Sequence, residues 1–449
     1  MKPMVCICCI DQACLRVPVI LLILLFLTVP VPAVGIETPE TSSHSIGIEY
    51  PNIITPEMSW HKCLNTPLIG SSYIVQQTSD GGYLMFGRSE SKNATQDENR
   101  QDPGYWIVKL NPGGDIVWQK IYRGRDRTDS MAVYQSYSCG YDSGGISGTD
   151  AENAIGNMST DRSWVAKFTH DGDISWKKDL GSAFHAEIHS IQQTGDAGYI
   201  IAGNTGLPGG DGSGGRADRD YWIGKMSPSG EITWKKTFGG TKDDLGYCIR
   251  QTIDGGYIVV GASASDDGDV TGNHGDFDYW VVKLTPNLEI SWQKSLGGSK
   301  NDTPSFVQQL SDGGYIIAGA SASNDGDVTG NHGDLDYWLV KLTPGGELSW
   351  QKSYGGKADD EVPCIRQTRD GGYIVVGQSE SRDGDVTGNH GNYDYWVIKL
   401  ATDGALKWEK CFGGNRYDAG QSVVQTSDGG FVVAGISSSH DGDLTGITG

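Results

Sequence analysis

Seven tryptophans recur at one interval. Trp60, Trp118, Trp176, Trp234, Trp292, Trp350 and Trp408 stand 58 residues apart, and each is followed two positions later by lysine, from Lys62 to Lys410. A period of this length, held without insertion or deletion, means one supersecondary unit copied seven times. Gln77, Gln135, Gln193, Gln251, Gln309, Gln367 and Gln425 keep a second register. Trp106, Trp164, Trp222, Trp280, Trp338 and Trp396 keep a third, so all 13 tryptophans belong to the repeat.

The copy over residues 246–298 contains four short β-type runs, 248–252, 257–263, 278–284 and 289–294, here named a, b, c and d. Asp254-Gly-Gly256 separates the first two and Thr285-Pro-Asn287 the last two, which is hairpin-turn chemistry. Strand c is apolar on both faces, with Tyr279 and Val281 on one and Trp280, Val282 and Leu284 on the other, so it is covered on both sides. Strand d places Ile290 and Trp292 opposite Ser291 and Gln293, the pattern of a half-wet outer strand.

A buried four-stranded unit repeated seven times predicts an all-β, seven-bladed β-propeller of four-stranded antiparallel blades rather than an open solenoid. The last copy stops after its a and b strands, while residues 46–50 and 57–62 align with c and d. Closure is therefore expected through N-terminal c and d strands pairing with C-terminal a and b strands. Residues 36–449 then form one propeller domain behind a leader at 1–35.

The strings Tyr-Trp-Val-Val-Lys-Leu at 279–284, Thr-Pro-x-Gly-Glu-Leu at 343–348, Leu-Gly-Gly-Ser at 296–299 and Asp-Gly-Gly-Tyr-Ile at 254–258 resemble the secreted bacterial and archaeal β-propeller repeat proteins. The resemblance runs over residues 46–449. It implies blades ordered a to d from the centre outward and an extracellular or cell-surface location. It implies little chemistry, because fold does not fix function.

Residues 17–36 carry no charge and follow Lys2 and Arg16, with Ala33-Val-Gly35 offering a small-residue cleavage site, so a secretory signal peptide is expected. An uncleaved anchor is the alternative, and the only route by which this chain would meet a membrane. Cys6, Cys8, Cys9 and Cys14 precede that run. Cys63, Cys139, Cys248, Cys364 and Cys411 follow it, and this odd count, with blades about 10 Å apart, predicts buried thiols rather than disulfides. A net charge of -21 excludes nucleic acid as a partner class and favours cations.

The loop between b and c carries the strongest chemical signal. It reads Asp-Gly-Asp-Val-Thr-Gly-Asn-His-Gly at 267–275, 325–333 and 383–391. Oxygen side chains fall at positions 1, 3, 5, 7 and 12, resembling the ligand order of an EF-hand calcium loop. The candidate ligands are Asp267, Asp269, Thr271, Asn273 and Asp278; Asp325, Asp327, Thr329, Asn331 and Asp336; and Asp383, Asp385, Thr387, Asn389 and Asp394. Position 12 is aspartate, not the longer glutamate, and no flanking helices are expected. The bland alternative is an acidic turn. His274, His332 and His390 share one register but lie on separate blades, too far apart for a common zinc ion.

The repeated glutamines are expected to satisfy backbone groups where blades converge, and the Trp-x-Lys pairs to pack blade against blade. A catalytic centre needs unlike groups at one spot, so it would have to arise where copies differ. The b–c loops at 92–104, 144–162 and 207–219 differ most, yet hold no recognisable triad. The reading is a secreted or surface-displayed, non-catalytic binding or adhesion module for an extracellular glycan or protein, with Ca2+ as candidate cofactor. The rivals are a propeller-based enzyme (a quinoprotein-like dehydrogenase, or a polysaccharide lyase or hydrolase) and a structural surface-layer component.

Overall fold

The computed structural model describes residues 4–11, 57–64, 73–89, 104–123, 131–135, 141–147, 162–169, 171–180, 187–205 and 219–444. Every element is a strand apart from a 3-10 turn at Gly442–Leu444. The first two strands are β1 (Met4–Asp11) and β2 (Glu57–Leu64). Then come β3 (Tyr73–Gln77), β4 (Tyr83–Ser89), β5 (Gly104–Leu110) and β6 (Ile116–Arg123), followed by β7 (Met131–Gln135), β8 (Tyr141–Ser147), β9 (Arg162–Phe168) and β10 (Ile174–Asp179). The next copy holds β11 (Glu187–Gln193), β12 (Tyr199–Asn204), β13 (Tyr221–Met226) and β14 (Ile232–Phe238). After it come β15 (Asp244–Gln251), β16 (Tyr257–Ser263), β17 (Asp278–Leu284) and β18 (Ile290–Leu296). They are followed by β19 (Asp302–Gln309), β20 (Tyr315–Ser321), β21 (Asp336–Leu342) and β22 (Leu348–Tyr354). The chain continues with β23 (Asp360–Gln367), β24 (Tyr373–Ser379), β25 (Asp394–Leu400), β26 (Leu406–Phe412), β27 (Asp418–Gln425) and β28 (Phe431–Ser437).

Backbone pairing gathers these strands into four-stranded antiparallel sheets, seven in number. The expectation of seven equivalent blades is nevertheless corrected to five. β3–β6, β11–β14, β15–β18, β19–β22 and β23–β26 are complete blades of four consecutive strands, with side chains described on every strand.

The closing sheet, ordered β2-β1-β28-β27, is not assembled as the repeat register predicts. Its d strand is β2, as expected. Its c strand is Met4–Asp11, which pairs Cys6 with Cys63 on β2 and with Gly435 on β28. Residues 46–50 lie outside the described residues, as do the signal run at 17–36 and its cleavage site. The physical reason is the demand of that position. A c strand is covered on both faces, and 5–10 (Val-Cys-Ile-Cys-Cys-Ile) is continuously apolar, whereas 46–50 interrupts its pattern with Gly47 and Glu49.

The cysteine expectation is also revised. Cys248, Cys364 and Cys411 are buried free thiols, but Cys63 is disulfide-bonded. The odd count after residue 35 does not exclude one bonded cysteine, and Cys63 is that case.

Sandwiched cores between neighbouring sheets follow the predicted strand roles. All seven residues of β17 are buried, and β18 is half-exposed at its start. Each d-strand tryptophan packs across a blade boundary. Trp60 rests on Gly114, where a Cβ would come within 2.8 Å of its ring, and Trp292 meets Tyr315 at 5.9 Å between centroids. The lysine two positions on does more than cover apolar surface, since Lys62 pairs with Asp115 of the next sheet at 2.8 Å.

The glutamine register clamps the centre. Gln309 donates to Gly313 O in its own a–b turn (3.1 Å) and accepts from Ile253 N in the preceding blade's turn (2.8 Å). Gln77 repeats this across the chain ends, accepting from Ser427 N at 3.1 Å, while Val75 N donates to Ser422 Oγ at 3.3 Å. Leu64, Val75, Met85, Trp106, Val432 and Ala434 share one core cluster, so the last strands pack on the first complete blade. The fold is an all-β propeller with a central channel.

Candidate functional site: the central channel

The innermost strands surround two adjoining cavities. The inner one, about 770 Å³, is lined by a strands of six sheets, β3, β11, β15, β19, β23 and β27. The second, about 600 Å³, opens toward the b–c loops between β15, β19, β23 and β27 and includes Leu245, Phe277 and Glu361. Tyr247, Ser305, Pro363 and Gln421 line both, so the two form one funnel. Volumes of this size accept a small organic ligand.

A repeated irregularity builds this lining. The a–b ladder shifts register between Ile188 and Ser190, Gly246 and Cys248, Pro304 and Phe306, Glu361 and Cys364, and Gly420 and Ser422. The bulged residues include His189, Tyr247, Ser305, Pro363 and Gln421, all at the channel wall. A bulge leaves a residue unpaired and re-aims its side chain, which is why bulges gather beside functional sites. Three positions further on, the copies again differ: Gln76, Gln192, Arg250, Gln308, Arg366 and Val424. These two variable registers were the signal for a site.

Charge is distributed unevenly here. Arg250 and Arg366 both stack on Phe306, with guanidinium carbons 4.9 and 4.2 Å from the ring centroid. His189 is held by Asn204 at 3.0 Å and Glu187 at 3.4 Å, and meets Tyr247 edge-on. At the mouth, Tyr417 donates to Gln378 Oε1 (2.7 Å) and Gln378 donates to Glu361 Oε2 (2.9 Å). Burial and the neighbouring Asp359 raise the Glu361 carboxyl.

The fifteen residues proposed as calcium ligands lie on the b–c loops and at the first position of strand c, and the partners of each set spread over several elements. Asp267, Asp325 and Asp383 accept from Thr241 N (2.8 Å), Ser299 N (2.7 Å) and Lys357 N (2.9 Å) of the preceding blade. Asp269, Asp327 and Asp385 face Gly239 N, Gly297 N and Gly355 N at 3.4 Å. Thr271, Thr329 and Thr387 bond to Gln293, Gln351 and Glu409 of strand d. Asn273, Asn331 and Asn389 donate to Ser263 O, Ser321 O and Ser379 O on strand b at 2.7–2.8 Å. Asp278, Asp336 and Asp394 accept from His274, His332 and His390 Nδ1 at 2.6–2.7 Å. Among the described residues no three His, Cys, Asp or Glu side chains converge as a metal-binding group. The loops instead staple blade to blade. The variable loop residues of 92–104, 144–162 and 207–219 lie outside the described residues, except Gly104, 144–147, Arg162 and Arg219.

Beneath the rim, two buried carboxylates meet at each junction. Asp278 Oδ1 and Asp302 Oδ2 both point at Gly297, where a Cβ would lie 2.5 and 2.6 Å from them. Asp336 and Asp360 do the same around Gly355, both at 2.5 Å. Burial lifts Asp302 and Asp360 to about 6, against hydrogen bonds from serine hydroxyls and a glycine N–H, with Asp278 and Asp336 adding repulsion.

No family model matches the chain. A curated relative, the regulatory protein FlaEY of Caulobacter vibrioides, is 26% identical over 199 residues, 40% of this chain; the match spans only 20% of that protein. Among solved structures, the Pan2 WD40 domain of Neurospora crassa superposes with a TM-score of 0.43 at 10% identity, covering 82% of this chain and 89% of that one. A protein of unknown function from Dyadobacter fermentans gives 0.44 at 9% identity, covering 82% and 94%. A Hadza microbial sialidase gives 0.41 at 9% identity, covering 72% and 70%. Likeness at this level assigns no activity.

Proposed function

We propose that this protein is a binding module that takes a glycan into the channel mouth and performs no chemistry on it. The supporting observation is the funnel itself. Residues repeated in every copy serve the scaffold, as the glutamine clamps and tryptophan contacts illustrate, while unlike side chains face the cavity. Gln421 and Tyr247 offer amide and hydroxyl groups, and Gln192 and Gln308 their amide N–H donors, suited to sugar hydroxyls. The test is a glycan array probed with the full chain, followed by product analysis of every bound glycan. Binding without turnover supports the reading. Cleavage or oxidation of the glycan supports an enzyme instead, and capture of proteins alone would move the ligand to that class.

A further inference from the structure

We propose that the inner chamber is an anion site, and that its ligand is an acidic sugar whose carboxylate is gripped by Arg250 and Arg366. This deepens the glycan reading above and rests on it for the sugar, though not for the anion. The chain carries a net charge of -21, yet among the described residues no Asp or Glu lines the 770 Å³ cavity. Two arginines do, from alternate copies, β15 and β23, with the Phe306 ring of β19 between them in sequence and in contact with both. Neither forms an ion pair with any described residue.

The donors left over point to the ligand class. Arg250 Nη1 donates to Ile249 O (2.7 Å) and Ser190 Oγ (3.0 Å), and Arg366 Nη1 donates to Ile365 O (3.0 Å). Those bonds hold each guanidinium by one terminal nitrogen. Nε and Nη2 of each have no protein acceptor among the described residues. A guanidinium presents its donors as a planar fork that matches a carboxylate with two parallel bonds. Contact with the Phe306 ring holds both guanidinium groups in place beforehand, which lowers the ordering cost on binding. Gln308 lies on the strand between the two arginines and Gln192 borders the same space; their carbonyls are taken by Gln367 N and Gln251 N, so hydroxyls beside the carboxylate would meet their amide N–H groups. The overall negative charge is screened beyond about 8 Å at physiological salt, so the local pair decides the sign of the site.

The experiment is calorimetric titration of the full chain with three probes: trigalacturonate, neutral galactotriose and inorganic sulfate. Trigalacturonate should bind at least about 10-fold tighter than galactotriose, since charge-assisted bonds of this kind are worth more than 1.4 kcal/mol. Lower salt should widen that gap. Arg366→Gln should weaken trigalacturonate about 10-fold or more and leave galactotriose unchanged; Arg366→Lys, which keeps charge but loses the fork, should fall between. Matched melting curves establish that each variant is folded, and Arg366→Lys remains informative if the Gln variant is not. Equal affinity for the acidic and neutral sugars, or full trigalacturonate binding by Arg366→Gln, overturns the anion site and leaves the glycan module standing. Sulfate binding lost in Arg366→Gln, with no sugar bound, upholds the anion site and removes the glycan reading. Silence with all three probes removes both.

Discussion

Making the solution more acidic, from pH 7 toward pH 4.5, should make this protein more stable. The carboxyls of Asp302 and Asp360 sit at about 6 when folded, against a reference of 3.8. Both residues are fully buried, and each faces a second buried carboxylate, Asp278 or Asp336, across a glycine. A raised folded value means the native state binds the proton more tightly. The stabilisation is therefore complete below about 4 and is lost as pH rises through about 6. Between those limits each group contributes a slope of about 1.4 kcal/mol per pH unit, so the pair gives roughly 3 kcal/mol per unit. Asp278 and Asp336 are raised too, chiefly by burial, and act in the same direction. An opposing set limits the acid side. Burial pushes Asp254 up, but hydrogen bonds from Lys283 and Thr252 outweigh it and bring the carboxyl to about 2, so its contribution fades only in stronger acid. Urea unfolding of wild type and Asp302→Asn at pH 4.5, 5.5, 6.5 and 7.5 measures the effect. The variant's slope should be shallower than wild type by about 1.4 kcal/mol per pH unit. A flat or rising wild-type profile over this range, or a variant slope equal to wild type, refutes the buried-pair argument.

Further perturbations address single contacts. Gly297→Ala places a methyl 2.5 Å from Asp278 Oδ1 and 2.6 Å from Asp302 Oδ2, and should leave little folded protein by circular dichroism. Gly272→Ala meets nothing within 4 Å but sits at φ +81°, so its cost in urea melts should be only about 1–2 kcal/mol. Gln309→Ala cuts the bond joining two a–b turns and should cost about 1 kcal/mol by urea unfolding, with faster amide exchange at Ile253. Because the loop oxygens of 267–278 are already committed to separate partners, EGTA should leave the melting temperature unchanged. A calcium-dependent rise would revive the loop ligand set.

Most of the scaffold was legible because its constraints repeat. A tryptophan needed at every blade boundary, as Trp60 on Gly114, writes itself into the sequence at a constant spacing, and so does the glutamine that bridges adjacent turns. Strand c could be placed from its two apolar faces alone. What periodicity could not supply was the exception to it. The closing strand at Met4–Asp11 lies outside the repeat register and precedes an apolar run that reads as a leader, so nothing in the 58-residue pattern points to it. The channel site was obscured for the opposite reason. His189, Tyr247 and Gln421 occupy matching positions on equivalent strands, where difference between copies carries the information, and only the bulge in the ladder turns them into the cavity. The loop spacing behind the calcium expectation is real, but the sequence alone does not show that Asp267, Thr271 and Asn273 already meet partners along a blade seam, and the EGTA melt decides whether a cation competes with those partners.

The account depends on the first and last inner strands lying side by side around a channel. Spin labels attached through a keto amino acid placed at Ser79 and Ser427, both exposed in a–b turns, report on this directly by electron–electron distance measurement and leave the nine cysteines untouched. With sheets about 10 Å apart, the ring predicts one narrow distribution at about 20 Å or less, label arms included. An unclosed stack of the same sheets would separate the labels by more than about 50 Å, and that result would contradict the ring, its channel and the site within it.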